Sequence, residues 1–555
     1  MENEKMLPYS YHTFLFPFLW DNGGETEWND FKKILDIGKR WIDTNWNGEE
    51  IPGNRCKDEW HLDYAAYQYF TEPARAILFN SRNDGAVHSF RYKYKDRYSN
   101  KIGKYIIVKN QSDMVLDIFD IKLNIYESGV AILIFELENY NYKTLKEVNK
   151  INEYGRRINM PYIPDGTSHT LCADEIKIKF CDDDFACENY KQTLAELDES
   201  FESAKNKMSL TYVMSPIKKL IDGGGLENGG LQVTTKKVNV DVNKFFIQPC
   251  VDDRMFVCCL IRDAKALQGL TEWIPIGESG EYSYLNDCYM KDHKFSDDFY
   301  KTIFIENEIT CVSRRMKKEL LKKCVYDRWI DYGTLYACTH HSMICFTGES
   351  ADLIHVYNSF LTMYIQLAIL VLAQRATILA LSAKASKVSN ELKEDKRKTT
   401  KNHLEKIEEL QKKYVIAQNQ LFITEATVQE QGVEIYALIR EQLYINANKA
   451  ELDEQMSNLR DVADIANERM EREADDKLNC ILLWFTVVGC LLAFIQTILT
   501  VFSSKIIKII SQCLFIVGVF CILVFSLIKR IRRKHNGSKV KTKSQRKFNE
   551  PGHSK

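Results

Sequence analysis

ILLWFTVVGCLLAFIQTILTVF, residues 481–502, is a run of 22 residues without a charge, and IISQCLFIVGVFCILVFSLI, residues 509–528, is a second uncharged run of 20. At a 1.5 Å rise per residue each is long enough to cross a hydrocarbon core about 30 Å thick. Only Ser503-Ser504-Lys505-Ile506-Ile507-Lys508 separates them, so the pair is expected to form a tight transmembrane hairpin. The flanks set its direction. From Lys529 onward stand 11 basic residues against the single acid Glu550, whereas the turn holds only Lys505 and Lys508. By the positive-inside rule the C-terminal side is cytoplasmic, and two crossings then place the preceding 480 residues in the cytoplasm too.

The rest of the composition agrees with a folded body on a small membrane anchor. Of 555 residues, 27% are charged and 45% hydrophobic, and the mean hydropathy is −0.31. These values exclude wholesale disorder and a many-span membrane protein. A net charge of −1 conceals a tail of +10 on a body of −11. An acidic body does not suit bulk nucleic-acid binding, and none is expected. The 16 cysteines contain no Cys-x-x-Cys pair, which fits a reducing compartment. The longest early apolar run, Phe14 to Trp20, has seven residues and holds Pro17; it is too short for a signal-peptide core.

The expected fold class is an α/β cytoplasmic body, then long α-helices, then the two-helix C-terminal transmembrane hairpin. Residues 1–222 read as an N-terminal α/β domain. Phe119–Glu127 alternates apolar and polar residues, Val130–Glu138 is a second strand, and Ser128-Gly129 between them is a hairpin signal. Thr144-Leu-Lys-Glu147 is a capping box opening a helix. A second strand-rich segment covers 231–350, with the boundary placed at the glycine-rich stretch 222–230. Residues 352–478 read as a long helical hairpin and stalk, with no proline and one glycine, Gly432. The transmembrane helices are 481–502 and 509–528, and 529–555 is a basic cytoplasmic tail. Tyr357–Leu381 is apolar enough for a third span, but Gln374-Arg375 sits at its middle. A central Arg costs about 2.5–3.5 kcal/mol on insertion scales, so a buried packing helix is expected there.

Within the first span the small and polar residues share one face. Thr486, Gly489, Ala493, Gln496 and Thr500 are spaced 3, 4, 3 and 4 apart. The same phase meets Leu482, Asn479 and Asp475 on the cytoplasmic side and Ser503 on the other. Polar groups facing lipid are costly, so this stripe should meet protein or water. In a homo-oligomer it would line a pore, with Asp475 and Asn479 as a cation-attracting vestibule and Leu482 as an apolar constriction. Alternatively it is a dry helix–helix seam.

A large cytoplasmic α/β domain, a long helix running into the first span, a short outward loop, a second span and a basic tail resemble the CorA family over roughly Asp352 to Lys534. The resemblance implies a homopentamer whose pore is lined by the first transmembrane helix. The family's Gly-Met-Asn, which meets hydrated Mg²⁺ at the outer end of that helix, has no counterpart; Phe502-Ser503-Ser504-Lys505 stands in its place. His12-Thr-Phe-Leu-Phe-Pro-Phe18, Ile151-Asn-Glu-Tyr-Gly-Arg-Arg157 and Arg328-Trp-Ile-Asp-Tyr-Gly-Thr-Leu335 are similar to segments of CorA-like proteins associated with type III CRISPR systems. That resemblance implies an antiviral membrane effector in a prokaryotic inner membrane, gated by a nucleotide second messenger, S-adenosylmethionine joined to AMP. A constitutive divalent-cation transporter and a pore-less membrane-anchored interaction module are the alternatives.

Two clusters have the residue types for such a ligand. Asn152, Tyr154, Arg156 and Arg157 lie near a helix end, and Arg328 and Tyr332 flank Trp329. Guanidinium groups pair with phosphate and aromatic rings stack on adenine; a solvated or interface role is the competing reading for both. Asp222–Gly230 reads as a linker, lacking the Gly-Lys-Ser/Thr of a phosphate-binding loop. Cys338-Thr-His-His-Ser-Met-Ile-Cys345 has zinc-ligand residue types, but strand alternation splits them between two faces. No nucleophile–base pair or carboxylate dyad stands out, so neither an enzyme nor a bound cofactor is expected.

Overall fold

The computed structural model describes residues 7–19, 35–37, 41–43, 64–79, 87–92, 103–157, 171–182, 185–193, 231–233, 248–252, 254–263, 293–306, 311–349, 353–394, 401–502 and 516–517. They belong to two compact units, Met1–Leu459 and Arg460–Lys555. The turn at 503–508, most of the second predicted span, the tail and the stretch 222–230 lie outside the described residues.

The first unit is built on a mixed sheet with thirteen strands among the described residues. At its centre lies β1 (Ser10–Leu19), buried along all but its last residue. Such a strand needs partners on both edges, because every backbone N–H and C=O away from water must be paired. β7 (Val130–Asn139) supplies one edge over the whole length of β1. The other edge is shared: β12 (Phe256–Arg262) pairs Ser10 to Leu15, and β11 (Gln248–Pro249) pairs Phe18 and Leu19. Pro17, which has no N–H to donate, falls in the gap between these two ladders. The segments 1–222 and 231–350, expected as separate domains, therefore share one sheet. The glycine-rich stretch does not divide the core, because β1 takes one neighbour from each side of it.

Outward from β7 come β6 (Ser112–Tyr126), then β5 (Lys104–Lys109) on one half of its length and β4 (Val87–Tyr92) on the other. The predicted hairpin is present, with Gly129 at φ +87° in its turn, a backbone conformation that glycine adopts without strain. β6 begins seven residues before the predicted Phe119. On the far side of β12, β15 (Ser342–Thr347) runs parallel to it, and β14 (Thr334–Cys338) follows antiparallel.

Helices cover both faces. α1 (Glu72–Leu78) packs near the sheet margin beside β4. α2 (Leu145–Gly155) opens with the predicted capping box: Glu147 N–H donates to Thr144 Oγ1 at 3.2 Å, and Thr144 N–H donates to Glu147 Oε2 at 3.1 Å. It closes against Phe14, where a Cβ on Gly155 would lie 2.9 Å from the ring. Tyr11, on the opposite face of β1 by strand alternation, meets Tyr357 at 6.3 Å between ring centroids. That face is covered by α6 (Ile365–Glu394), which follows α5 (Ile354–Ser359) and a single π-helical turn, Phe360–Tyr364. (α3, His293–Phe304, and α4, Arg314–Cys324, pack on the same side as α2.) α7 (Lys401–Gln420) runs against α6, and α8 (Glu430–Gln442) crosses it.

α9, Ile445–Phe502, is a single helix of 58 residues, so the expected stalk and first span are continuous. It is about 87 Å long at 1.5 Å per residue. Leu452, Met456, Leu459, Ala463 and Ala466 are buried along it at the 3–4 spacing of a packed helix face. Continued toward the C-terminus, that spacing reaches Lys477 and Trp484 and passes beside the polar stripe.

Candidate functional site

The C-terminal end of α2 carries polar side chains into the interior. Asn152, Glu153, Tyr154, Arg156 and Arg157 are all buried. The periodicity that turns Val148 and Ile151 into the core turns Glu153 toward the following arginines, and its carboxylate pairs with both. Arg156 Nη2 donates to Oε2 at 3.0 Å, and Arg157 pairs with Oε1. Arg156 Nη2 also reaches the Ile305 carbonyl at 3.1 Å, while its Nε and Nη1 and the Arg157 Nε have no hydrogen-bond partner. Burial and the neighbouring Arg254 and Arg157 outweigh Glu153 and lower the Arg156 guanidinium to about 10. His12 Nδ1–H donates to Asn152 Oδ1 at 2.7 Å, and His12 Nε2 accepts from Ser10 Oγ at 2.8 Å. Burial depresses His12 to about 4, so the ring is neutral.

Chain-distant residues extend this cluster. The Arg156 carbonyl accepts from Met255 N–H at 2.8 Å, beside an isolated bridge between Arg157 and Arg254. Arg254 pairs with Asp252 at 2.9 Å, and Asp252 lies 3.3 Å from His341 Nδ1. Burial, then Arg254, holds His341 down to about 3. Next to it, Arg375 Nη2 donates to His340 Nε2 at 2.5 Å, so Nδ1 carries the proton and donates to the Gln442 carbonyl at 3.1 Å. Among the described residues the arginines 156, 157, 254 and 375 thus face the carboxylates of Glu153 and Asp252 and two neutral imidazoles. The balance is cationic, and unpartnered guanidinium N–H groups suit an anionic group such as phosphate.

The sequence indicated Arg156 and Arg157, but no local pattern joined Asp252, Arg254, His341 or Arg375 to them. These are brought in only when β12 and β15 join the sheet. Tyr154 is not a stacking platform: its ring is 3% exposed within the core, with Lys109 Nζ 5.4 Å from the centroid. His340 and His341 are engaged by Arg375 and Asp252 instead of sharing a centre with Cys338 and Cys345.

Arg328 and Tyr332 occupy a different place, the turn leading into β14. Arg328 is spent on α8, with Nη1 to Glu434 at 2.5 Å and Nη2 to Glu430 at 2.9 Å. Tyr332 opens onto a pocket of about 550 Å³, lined among others by Trp329, Tyr336, His355, Tyr364 and Gln431. Among its described lining residues there is no Asp, Glu, Lys or Arg.

The stripe residues Asp475, Asn479, Leu482, Thr486, Gly489, Ala493, Gln496 and Thr500 all lie on α9; Ser503 is outside the described residues. Around them the apolar side chains are open on every side of the helix: Leu483 and Trp484 are each 67% exposed and Phe494 is 66% exposed. Thr486 Oγ1 donates to the Leu482 carbonyl at 2.8 Å and Thr497 Oγ1 to the Ala493 carbonyl at 2.8 Å.

No family model, no curated protein and no solved structure matches this chain.

Proposed function

We propose that the chain is a homo-oligomeric membrane effector of the CorA-like kind, held in a prokaryotic inner membrane with both termini in the cytoplasm and opened by a small nucleotide. The ligand class is a second messenger such as S-adenosylmethionine joined to AMP, made in antiviral defence of the type III CRISPR kind. The cytoplasmic body binds and does no chemistry of its own. The single observation that carries the reading is α9: one unbroken helix, anchored in the body by Leu452, Met456 and Leu459, continues into an apolar stretch that none of the described residues buries. A ligand that binds one arrangement of the body more tightly than another shifts the membrane segment through it.

The supporting chemistry for the ligand is the cationic cluster of Arg156, Arg157 and Arg254, in which the buried Arg156 and Arg157 carry N–H groups without a partner. Purified protein in liposomes tests the reading directly. Ion release is expected only when the nucleotide is added, with Gln496→Leu reducing it and Leu482→Ser raising the nucleotide-independent leak. If neither substitution changes flux and the nucleotide opens nothing, the channel reading fails. A second reading, a membrane-anchored module without a pore, is favoured by one observation. The Thr486 and Thr497 hydroxyls are satisfied by their own helix and require no water.

A further inference from the structure

The pocket beside Trp329 differs in chemistry from everything around it. Its floor is Tyr336 and Tyr364, both buried and set edge to face with ring centroids 5.3 Å apart. Its mouth is Trp329 and Tyr332, centroids 5.9 Å apart, with Tyr332 75% exposed. That exposure is built into the backbone. Gly333, at φ +76°, closes the turn Ile330–Tyr332 by donating to the Ile330 carbonyl at 2.9 Å and directs the chain into β14. The ring is left standing at the opening.

Arg328, 5.7 Å from the centroid of the Trp329 ring, is drawn away to Glu430 and Glu434, so among the described lining residues a phosphate would meet no Lys or Arg. A lipid chain would want aliphatic walls, yet Leu353 and Val356 are the only aliphatic lining residues described. What the walls suit is a flat, uncharged ring that stacks on aromatic faces and carries hydrogen-bonding edges. His355 and Gln431 supply donors and acceptors for such an edge. A volume of about 550 Å³ is ordinary for a small-molecule site.

We infer that this pocket holds the base of a purine nucleoside or nucleotide, stacked on Tyr332 with its edge read by Gln431 and His355. The inference rests on the reading that a nucleotide acts on the cytoplasmic body, and it adds where the base sits. The walls come from separate elements: the turn before β14, the π-helical turn that holds Tyr364, and α8, which supplies Gln431. π-helical turns are frequent at functional sites. α8 is followed, after Leu443 and Tyr444, by α9. A base seated in the pocket ties the helix that precedes α9 to the sheet, which is a direct way for occupancy to bias it.

The test uses the full chain in detergent micelles with fluorescent 2-aminopurine riboside as the probe. The probe is expected to bind with quenching, to be displaced by adenosine and not by laurate, and to lose about tenfold in affinity on Tyr332→Ala. Tyr332 is exposed, so an unchanged melting temperature shows that this variant is folded. Wild-type affinity in Tyr332→Ala, or displacement by laurate in preference to adenosine, overturns the inference. If nucleotide-dependent flux in liposomes also survives Tyr332→Ala with unchanged nucleotide affinity, the pocket assignment alone is wrong. If the probe binds through Tyr332 but no nucleotide opens flux, the pocket stands and the effector reading falls.

Discussion

Among the described residues, two helical stretches are long and apolar enough to cross a bilayer. Ile354–Leu392 has a mean hydropathy of 1.7 in its most apolar window, and 78% of that window is buried; for Ile445–Ile498 the values are 2.4 and 0%. Their polar residues behave differently. In the first, Thr362 donates to the Asn358 carbonyl of its own stretch at 2.7 Å, but the polar residues of the buried middle and end reach partners on other elements. Gln374 Nε2 donates to the Leu421 carbonyl at 2.9 Å and to Tyr436 at 3.0 Å, Arg375 donates to His340, Ser128 meets Thr377 at 2.9 Å, and Ser382 donates to Gln455 at 2.8 Å. In the apolar end of the second, Thr486 and Thr497 turn back onto their own helix. A helix whose polar groups are met from outside is enclosed by protein, whereas one that satisfies its own is suited to a solvent that offers no hydrogen bonds.

The sharpest way to break this comparison is to place the same charge in each. Leu372→Arg puts an unpaired guanidinium into a site that is 1% exposed. It should cost more than about 4 kcal/mol and prevent the body from folding, read as loss of a cooperative melt. Leu492→Arg should leave the melt of the body in place and instead reduce the membrane-bound fraction, since a mid-span Arg costs about 2.5–3.5 kcal/mol. Equal effects on folding from both would erase the distinction.

Acid should separate the two regions next. His12 is held at about 4 and His341 at about 3, both from an ordinary 6.5. Lowered imidazole values mean that the unfolded chain binds more protons below pH 6.5. Stability is therefore complete above that pH and is lost as pH falls toward 4 and then 3. For His12, wholly buried beside Ser10, Asn152 and Cys259, the loss is on the order of 3 kcal/mol. Residues 481–502 contain no acid, base or histidine, so membrane attachment should not change over that range. Melts and flotation at matched pH measure both.

Smaller effects sharpen the picture. Gln374→Leu removes the bonds to Tyr436 and to the Leu421 carbonyl, which keeps only the Ile423 N–H at 3.1 Å, for an expected loss of about 1–2 kcal/mol in a denaturant melt. Thr486→Val removes a hydroxyl used only within its helix and should change neither the melt nor the membrane-bound fraction by more than about 0.5 kcal/mol. A large effect there would mean that the hydroxyl serves something other than its own backbone.

The sequence announced these helices unequally. Residues 481–502 could be read from composition alone, and the central Gln374-Arg375 pair sufficed to keep Tyr357–Leu381 out of the membrane. Periodicity and turn chemistry also revealed the β6–β7 hairpin and the Thr144 capping box. What stayed hidden was long-range pairing. Nothing local in Phe256–Arg262 says that it will lie beside Ser10–Leu15, so the core appeared divided at 222–230. The same limit applied to the sites. Arg156 and Arg157 stood out as neighbours in sequence, but Asp252, Arg254, His341 and Arg375 reach them only through sheet registry. Tyr154 looked like a free stacking ring because burial cannot be seen from a polar neighbourhood, and the pocket at Tyr332 needed Tyr364 and Gln431 from helices remote in sequence.

Alkaline carbonate extraction of cell membranes tests the central claim, that α9 embeds its apolar end in a bilayer while α6 stays inside the protein. The full chain should remain in the membrane pellet, and a chain ending at Lys477, which keeps all of α6, should be wholly in the supernatant. Release of the full chain by carbonate, or retention of the shortened chain in the pellet, would contradict the account.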